Sequence, residues 1–130
     1  MKRCILVVED NQLNRELLRD WLEVEGYEVW SATDLKSSYD VFAKRIPDAV
    51  LLDINLGKDD GLSLVAWMRQ KPETCEIPVI AVTAHAMAAE QERILKSGCI
   101  ACLSKPIDFR LLREHLNLQL ISPRVSQQNP

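Results

Sequence analysis

The sequence lacks a long apolar segment and a cluster of basic residues. No stretch approaches the roughly 20 apolar residues of a membrane-spanning helix. The first apolar run, Cys4–Val8, is too short for a secretory signal. Lysine and arginine total 16 against 19 acidic residues, and the resulting net charge of −3 disfavours nucleic-acid binding. These absences predict a cytoplasmic protein that binds neither membranes nor nucleic acids.

The sequence has four cysteines in 130 residues, a number that could suggest a disulfide framework. Without a secretory signal, we expect free thiols rather than a disulfide framework. Cys99 and Cys102 are spaced as a CxxC pair, but they lead into a predicted strand. Redox-active pairs open a helix, whose dipole lowers the thiol pKa. Small buried apolar residues are therefore the favoured interpretation of this pair, and a redox role is the alternative.

Apolar runs recur along the chain, separated by segments long enough for a helix. The runs are Cys4–Val8, Val29–Ala32, Ala49–Leu52, Pro78–Val82 and Ile100–Leu103. Alternating strands and helices with nearly continuous apolar strands indicate an α/β fold, in which a parallel sheet has helices on both faces. We therefore predict one domain with a doubly wound five-stranded parallel sheet and five helices.

Two of the predicted helices have boundaries that bear on function. The fourth is expected over 86–97, closed by Gly98, and the last is expected to begin at Pro106. The segment from Ser122 to the end has no periodicity and is expected to be disordered.

Polar residues stand where the predicted strands end. Glu9 and Asp10 follow the first strand, Asp53 the third, Thr83 the fourth and Lys105 the fifth. The carboxyl ends of parallel strands meet at one edge, where ligands of such sheets bind. Three carboxylates there repel one another unless a cation such as Mg²⁺ neutralises them. An amine and a hydroxyl would serve an additional anion, so the set predicts a phosphoryl pocket with Asp53 as a carboxylate nucleophile.

Four motifs at these strand ends resemble the signatures of the response-regulator receiver domain of two-component signalling. They are VVEDNQLNR (7–15), LLDINL (51–56), AVTAHAM (81–87) and CLSKPID (102–108). The resemblance covers residues 3–121 and is nearest to stand-alone receivers of the DivK-like type and to receivers attached to hybrid kinases. It implies the flavodoxin-like strand order 2-1-3-4-5, with a receiver domain over 1–121 and a tail over 122–130 without an output domain.

The resemblance also implies a role for individual residues. Asp53 would be the phosphoacceptor. Mg²⁺ would be held by Asp10, Asp53, the backbone carbonyl of Asn55 and, through water, Glu9. The phosphoryl contacts and their supporting residues would be Thr83, Ala84, Lys105 and Pro106.

Two positions depart from the family pattern. Cys102 stands where most receivers have Tyr or Phe, the ring that moves inward when the threonine is drawn to the phosphoryl group. Gly57 stands where the family usually has Pro, which predicts a more mobile loop after the third strand. We therefore expect the phosphorylation signal to travel mainly through residues 84–97, with His85 and Met87 on the moving surface.

The sequence thus predicts a single-domain response regulator that takes a phosphoryl group from a histidine kinase or a histidine phosphotransfer domain. It would signal to a downstream protein target or pass the phosphoryl group onward, and would catalyse only its own phosphorylation and dephosphorylation. One alternative is a phosphatase of the haloacid dehalogenase type, although that family has an acid where Asn55 stands. The other is a pseudo-receiver, which normally has a broken acidic set. Leu111, His115 and Leu118 form an outer stripe on the last helix, a candidate surface for a partner or a homodimer.

Overall fold

The computed structural model of the protein describes residues 2–85 and 87–128. Within them the elements follow one another as β1 (Cys4–Val8), α1 (Gln12–Val24), β2 (Glu28–Ala32), α2 (Leu35–Lys44), β3 (Ala49–Asp53), β4 (Asn55–Leu56), β5 (Asp59–Asp60), α3 (Leu62–Arg69), β6 (Val79–Thr83), α4 (Ala88–Lys96), β7 (Ala101–Ser104) and α5 (Phe109–Gln128). The apolar runs predicted as strands coincide with β1, β2, β3, β6 and β7 to within one residue at each end.

These strands form one parallel sheet in the order β2-β1-β3-β6-β7. This is the predicted order 2-1-3-4-5, so the predicted fold is confirmed. The connections change direction between β1 and β3, which opens a crevice at the carboxyl ends of these strands. Glu9, Asp10 and Asp53 all belong to this end of the sheet.

The two faces of the sheet carry separate hydrophobic cores. On one face Ile5 and Val7 pack with residues of α1 and α5, such as Leu22 and Leu112. On the other face Leu6 and neighbouring strand residues pack with α2, α3 and α4. Strands β1, β3 and β6 are buried along their whole length, as expected for parallel strands covered by helices on both sides. The strand ends are therefore held on a rigid frame.

Helix α5 differs from the prediction at its start. It begins at Phe109 rather than at Pro106, because the Asp108 carboxylate accepts hydrogen bonds from the N–H groups of Arg110 (2.9 Å) and Leu111 (3.3 Å). A side chain that satisfies the first free amides in this way marks the start of a helix. Pro106 instead follows a cis peptide bond after Lys105.

The far end of α5 and the start of α4 also differ from expectation. Helix α5 continues to Gln128, so its backbone is helical through most of the segment expected to be a disordered tail. The division into a domain over 1–121 and a tail stays a prediction. Helix α4 begins at Ala88, and the predicted start at Ala86 lies outside the described residues.

The segment after Asp53 forms a small hairpin that the sequence analysis did not predict. Strands β4 and β5 pair antiparallel, and Gly57, with φ of +59°, occupies their two-residue turn. The hairpin returns the chain so close to β3 that a Cβ on Gly61 would lie 2.8 Å from the Asp53 carbonyl oxygen. The expected loop is thus a hairpin closed by two glycines, and its mobility stays a prediction.

Among the described residues, we find no helix with the length and apolar character needed to cross a membrane.

Candidate functional site

The three predicted acids meet at the crevice between β1 and β3. Glu9, Asp10 and Asp53 each offer a carboxylate oxygen, and these oxygens lie within 4.8 Å of one another. Glu9 and Asp53 are each only 3% exposed, whereas Asp10 is exposed at the mouth of the crevice. The predicted convergence of carboxylates is therefore present in the structure, with two acids buried and one open to solvent.

Asp53 is held through both of its carboxylate oxygens. Lys105 Nζ donates a hydrogen bond to Asp53 Oδ2 at 3.0 Å, and the Asn55 backbone N–H donates to Asp53 Oδ1 at 2.9 Å. The Lys105 ammonium also lies 3.7 Å from Glu9 Oε1. A buried carboxylate needs such partners because an isolated charge is costly to desolvate. Asp53 is thus an oriented group with a hydrogen-bond donor on each carboxylate oxygen.

Lys105 stays charged in this surrounding. Burial by itself lowers the pKa of Lys105, but the hydrogen bond to Asp53 and the charges of Asp53, Glu9 and Asp10 outweigh it, so the pKa is raised. A permanently charged ammonium beside the acids provides a contact for a second anion. The role of Lys105 as a phosphoryl contact stays a prediction.

The surroundings of Glu9 favour its neutral form, whereas those of Lys105 favour its charged form. Burial raises the pKa of Glu9 to about 7, and the negative charge of Asp53 adds to this effect. The Asn11 N–H, which donates to Glu9 Oε2 at 3.0 Å, and the charge of Lys105 act against it. Without a cation, therefore, the carboxylates in the crevice repel one another, and this repulsion favours the protonated form of Glu9.

The donor set at this crevice fits a small hard cation. Three carboxylates supply only oxygen ligands, and one of them is exposed, so water can complete the coordination that Mg²⁺ prefers. The turn at Gly57 lies beside this site, since a Cβ there would be at van der Waals distance, 3.9 Å, from Asp10 Oδ2. The role of the Asn55 backbone carbonyl, in the hairpin that follows Asp53, stays a prediction.

Thr83 lies at the end of β6, one residue beyond the position that pairs with Asp53. The residue is fully buried, and its Oγ1 accepts a hydrogen bond from the His85 N–H at 3.0 Å. The hydroxyl therefore contacts the loop that leads to α4, with Ala84 and His85 exposed beside it. A hydroxyl can accept one hydrogen bond and donate another, so Thr83 can also donate to an incoming anion.

Cys102 pairs with Ala81 of β6, is partly buried and packs against the core on the α4 side of the sheet. Burial raises its pKa, with a further contribution from Glu90, and burial raises the pKa of Cys99 to about 11. Both thiols are free and protonated at neutral pH. These features favour the packing interpretation of the CxxC pair over a redox role.

The sequence analysis missed one polar residue that touches this site. Arg15, in the first turn of α1, donates hydrogen bonds to the backbone carbonyls of Glu9 and Asp10. Its place in the motif VVEDNQLNR is the only sequence signal, and a motif position does not show which atoms a long side chain reaches.

Comparisons with known proteins agree with this architecture. A family model described as the response regulator receiver domain matches residues 5–117. The polar-differentiation response regulator DivK of Brucella anthropi is 42% identical over 107 residues, which make up 82% of this chain and 87% of that protein. The DivK protein of Brucella ovis matches with the same identity and coverage.

Solved structures show the same similarity. A putative response regulator from Chloroflexus aurantiacus has a TM-score of 0.87 at 27% identity, covering 93% of this chain and 99% of that chain. The receiver domain of a sensor histidine kinase from Pseudomonas aeruginosa has a TM-score of 0.84 at 30% identity, covering 94% and 100%. That structure has a magnesium ion coordinated in its active site cleft. With the strand order and the four motifs, these similarities show that the chain belongs to the response regulator receiver domain family of two-component signalling.

Proposed function

We propose that Asp53 of this receiver domain accepts a phosphoryl group from a phosphohistidine, supplied by a histidine kinase or a histidine phosphotransfer domain. The supporting observation is the arrangement around Asp53: a buried carboxylate with an ammonium on one oxygen and a backbone amide on the other. Of the three acids, Asp53 alone is held by Lys105 at hydrogen-bond distance and is also the central strand end of the set.

In the transfer, a carboxylate oxygen of Asp53 attacks the phosphorus atom of the phosphoimidazole. The new P–O bond forms as the P–N bond breaks, and the bonding electron pair returns to the imidazole nitrogen. The Asn55 N–H keeps the carboxylate oriented, and Lys105 moves its ion pair onto the phosphoryl oxygens. Asp10, Asp53, the Asn55 carbonyl and, through water, Glu9 would hold Mg²⁺, which would supply neutralising charge for those oxygens when bound.

Thr83 connects the modified site to the loop before α4. Its hydroxyl donates a hydrogen bond to a phosphoryl oxygen. The same oxygen, Oγ1, accepts from the His85 N–H, so this contact responds to any shift of Thr83. The exposed residues Ala84, His85 and Met87 follow directly, so a displacement of Thr83 changes a solvent-facing surface. With Cys102 instead of a large ring on the neighbouring strand, we assign most of the output to residues 84–97.

An apolar cleft beside the acids suits the phosphohistidine donor. The cleft, of about 420 Å³, has Glu9 and Lys105 on its border and a largely apolar lining of Leu17, Leu18, Pro106, Ile107 and Phe109. Leu13 and Leu17 on α1 are 76% and 56% exposed. The donor protein must bring its phosphorylated imidazole to Asp53. If its surface packs against this cleft, the imidazole lies beside the acids.

The outer face of α5 is a second candidate surface. Leu111 and Leu118 are exposed and His115 is partly exposed on the same side of the helix. We assign this face to a downstream protein target or to a second copy of the chain. Output by contact or onward transfer fits a signalling protein that catalyses only its own phosphorylation and dephosphorylation. A cytoplasmic location, where thiols stay reduced, fits the four free cysteines.

Acetyl phosphate with Mg²⁺ tests the central claim. Intact-mass analysis should show one labile phosphoryl group on the unmodified protein, none on Asp53→Asn and one on the control Asp59→Asn, whose carboxylate lies in the hairpin. Equal labelling of Asp53→Asn would refute the assignment. No labelling of any variant would favour a pseudo-receiver, and steady release of phosphate from small phosphomonoesters would favour a phosphatase.

A further inference from the structure

The junction between β1 and α1 is held together by Arg15. Its Nη1 donates to the backbone carbonyl oxygens of Glu9 at 2.9 Å and Asp10 at 3.4 Å. The residue lies in the first turn of α1, where its own N–H donates to the Asn11 carbonyl at 2.9 Å. The side chain therefore reaches back from the helix onto the two residues that supply acids to the crevice.

The two acids depend differently on this contact. The Glu9 side chain is buried, and its Oε2 also accepts from the Asn11 N–H. The Asp10 side chain is exposed, so little packing directs it, and the direction of its carboxylate follows from the backbone conformation at residue 10. Arg15 bonds to that backbone. Nη1 carries two N–H groups, so this one nitrogen can donate to both neighbouring carbonyls at once.

We propose that Arg15 is a positioning residue for the metal site. By holding the carbonyls of Glu9 and Asp10, it sets their carboxylates in place before Mg²⁺ binds. The inference rests on the metal site proposed above. Arg15 contacts neither of the carboxylates it positions, and acts through the backbone that carries them.

A positioning role and a purely electrostatic effect of Arg15 predict opposite changes in Mg²⁺ affinity when the residue is replaced. A cationic side chain near the crevice repels Mg²⁺, so removing its charge alone should tighten metal binding. Removing a positioning group should weaken binding, and outer contacts that orient metal ligands are typically worth about ten- to 100-fold in affinity. A role in fold stability alone would lower the unfolding temperature and leave the affinity of the folded protein unchanged.

The test is a Mg²⁺ titration followed by amide NMR shifts at constant ionic strength, with Arg15→Gln, Arg15→Lys and the control Arg19→Gln. Arg19 is exposed one turn further along α1, so this control removes the same charge from the same helix. We expect about tenfold weaker binding for Arg15→Gln, a smaller loss for Arg15→Lys and no loss for Arg19→Gln. The amide shifts of residues 9–11 should move in the metal-free Arg15→Gln protein.

Unchanged or tighter Mg²⁺ binding by Arg15→Gln would overturn the inference and leave the proposed function standing. Absence of Mg²⁺ binding by the unmodified protein would refute the metal site and the inference together. If Arg15→Gln does not fold, Arg15→Lys decides, since it retains the charge on a side chain one atom shorter than the reach of Nη1: Mg²⁺ affinity equal to that of the unmodified protein would overturn the inference.

Discussion

Replacing Asp10 by Asn should stabilise the metal-free protein and remove its response to Mg²⁺. The oxygens of Glu9, Asp10 and Asp53 lie within 4.8 Å of one another, and Asn has nearly the shape of Asp without its charge. Most substitutions lower the free energy of unfolding or leave it unchanged. A gain in stability at this position is therefore diagnostic of repulsion among the acids.

The size of the gain follows from distance and exposure. Two unit charges 4.8 Å apart repel by about 3.5 kcal/mol at an effective dielectric constant of about 20 and by about 0.9 kcal/mol in water. Asp10 is exposed, so the lower figure is nearer. Glu9, with a pKa of about 7, carries only part of its charge at neutral pH, and the variant also loses attraction to Lys105. We expect the free energy of unfolding to rise by about 1 kcal/mol.

Urea denaturation at neutral pH, in EDTA and in excess MgCl₂, measures both effects. Mg²⁺ at 100 times its dissociation constant should raise the free energy of unfolding of the unmodified protein by about 2.7 kcal/mol through mass action. The free energy of unfolding of Asp10→Asn should rise little when Mg²⁺ is added. Glu9→Gln should keep more of the Mg²⁺-dependent stabilisation, because the predicted contact of Glu9 with Mg²⁺ runs through water. Asp59→Asn, outside the acid cluster, serves as the control.

Two results would refute this reasoning. If Asp10→Asn is less stable than the unmodified protein in EDTA, the acids do not repel as the distances imply. If Asp10→Asn and Glu9→Gln lose the Mg²⁺ response equally, the direct and water-mediated roles are misassigned.

Three further predictions concern the surfaces and the thiols. With beryllofluoride, a phosphoryl mimic, amide exchange should change most over 84–97; changes confined to Cys102 and α5 would contradict the proposed route of the signal. Leu17→Ser should slow phosphoryl transfer from a protein donor by about tenfold, the effect of losing a good interface contact; equal slowing with acetyl phosphate would argue against a docking role. Cys4 and Cys99, whose pKa values burial raises to about 12 and about 11, should resist iodoacetamide at pH 8 in the native protein; rapid labelling of either, mapped by mass spectrometry, would show that it is accessible as a thiolate.

The sequence alone determined the sheet and the set of groups at its edge. Parallel strands covered on both faces must be apolar along their length, so β1 and β3 stand out as unbroken apolar runs. An acid that follows such a run lies at the strand's end, so the sequence places Glu9, Asp10 and Asp53 at the same edge of the sheet. The position of Lys105 follows from the same rule.

The tertiary structure decided what depends on loop geometry and side-chain direction. The strands of the hairpin after Asp53 are two residues long, too short for an alternating pattern, and its turn depends on the positive φ of Gly57. The start of α5 was set by a cap from Asp108 rather than by Pro106. From the first turn of α1, the Arg15 side chain reaches back to the carbonyls of the β1–α1 junction. Periodicity shows which face of an element is buried, but the partner of a long polar side chain depends on where the backbone of a different segment lies.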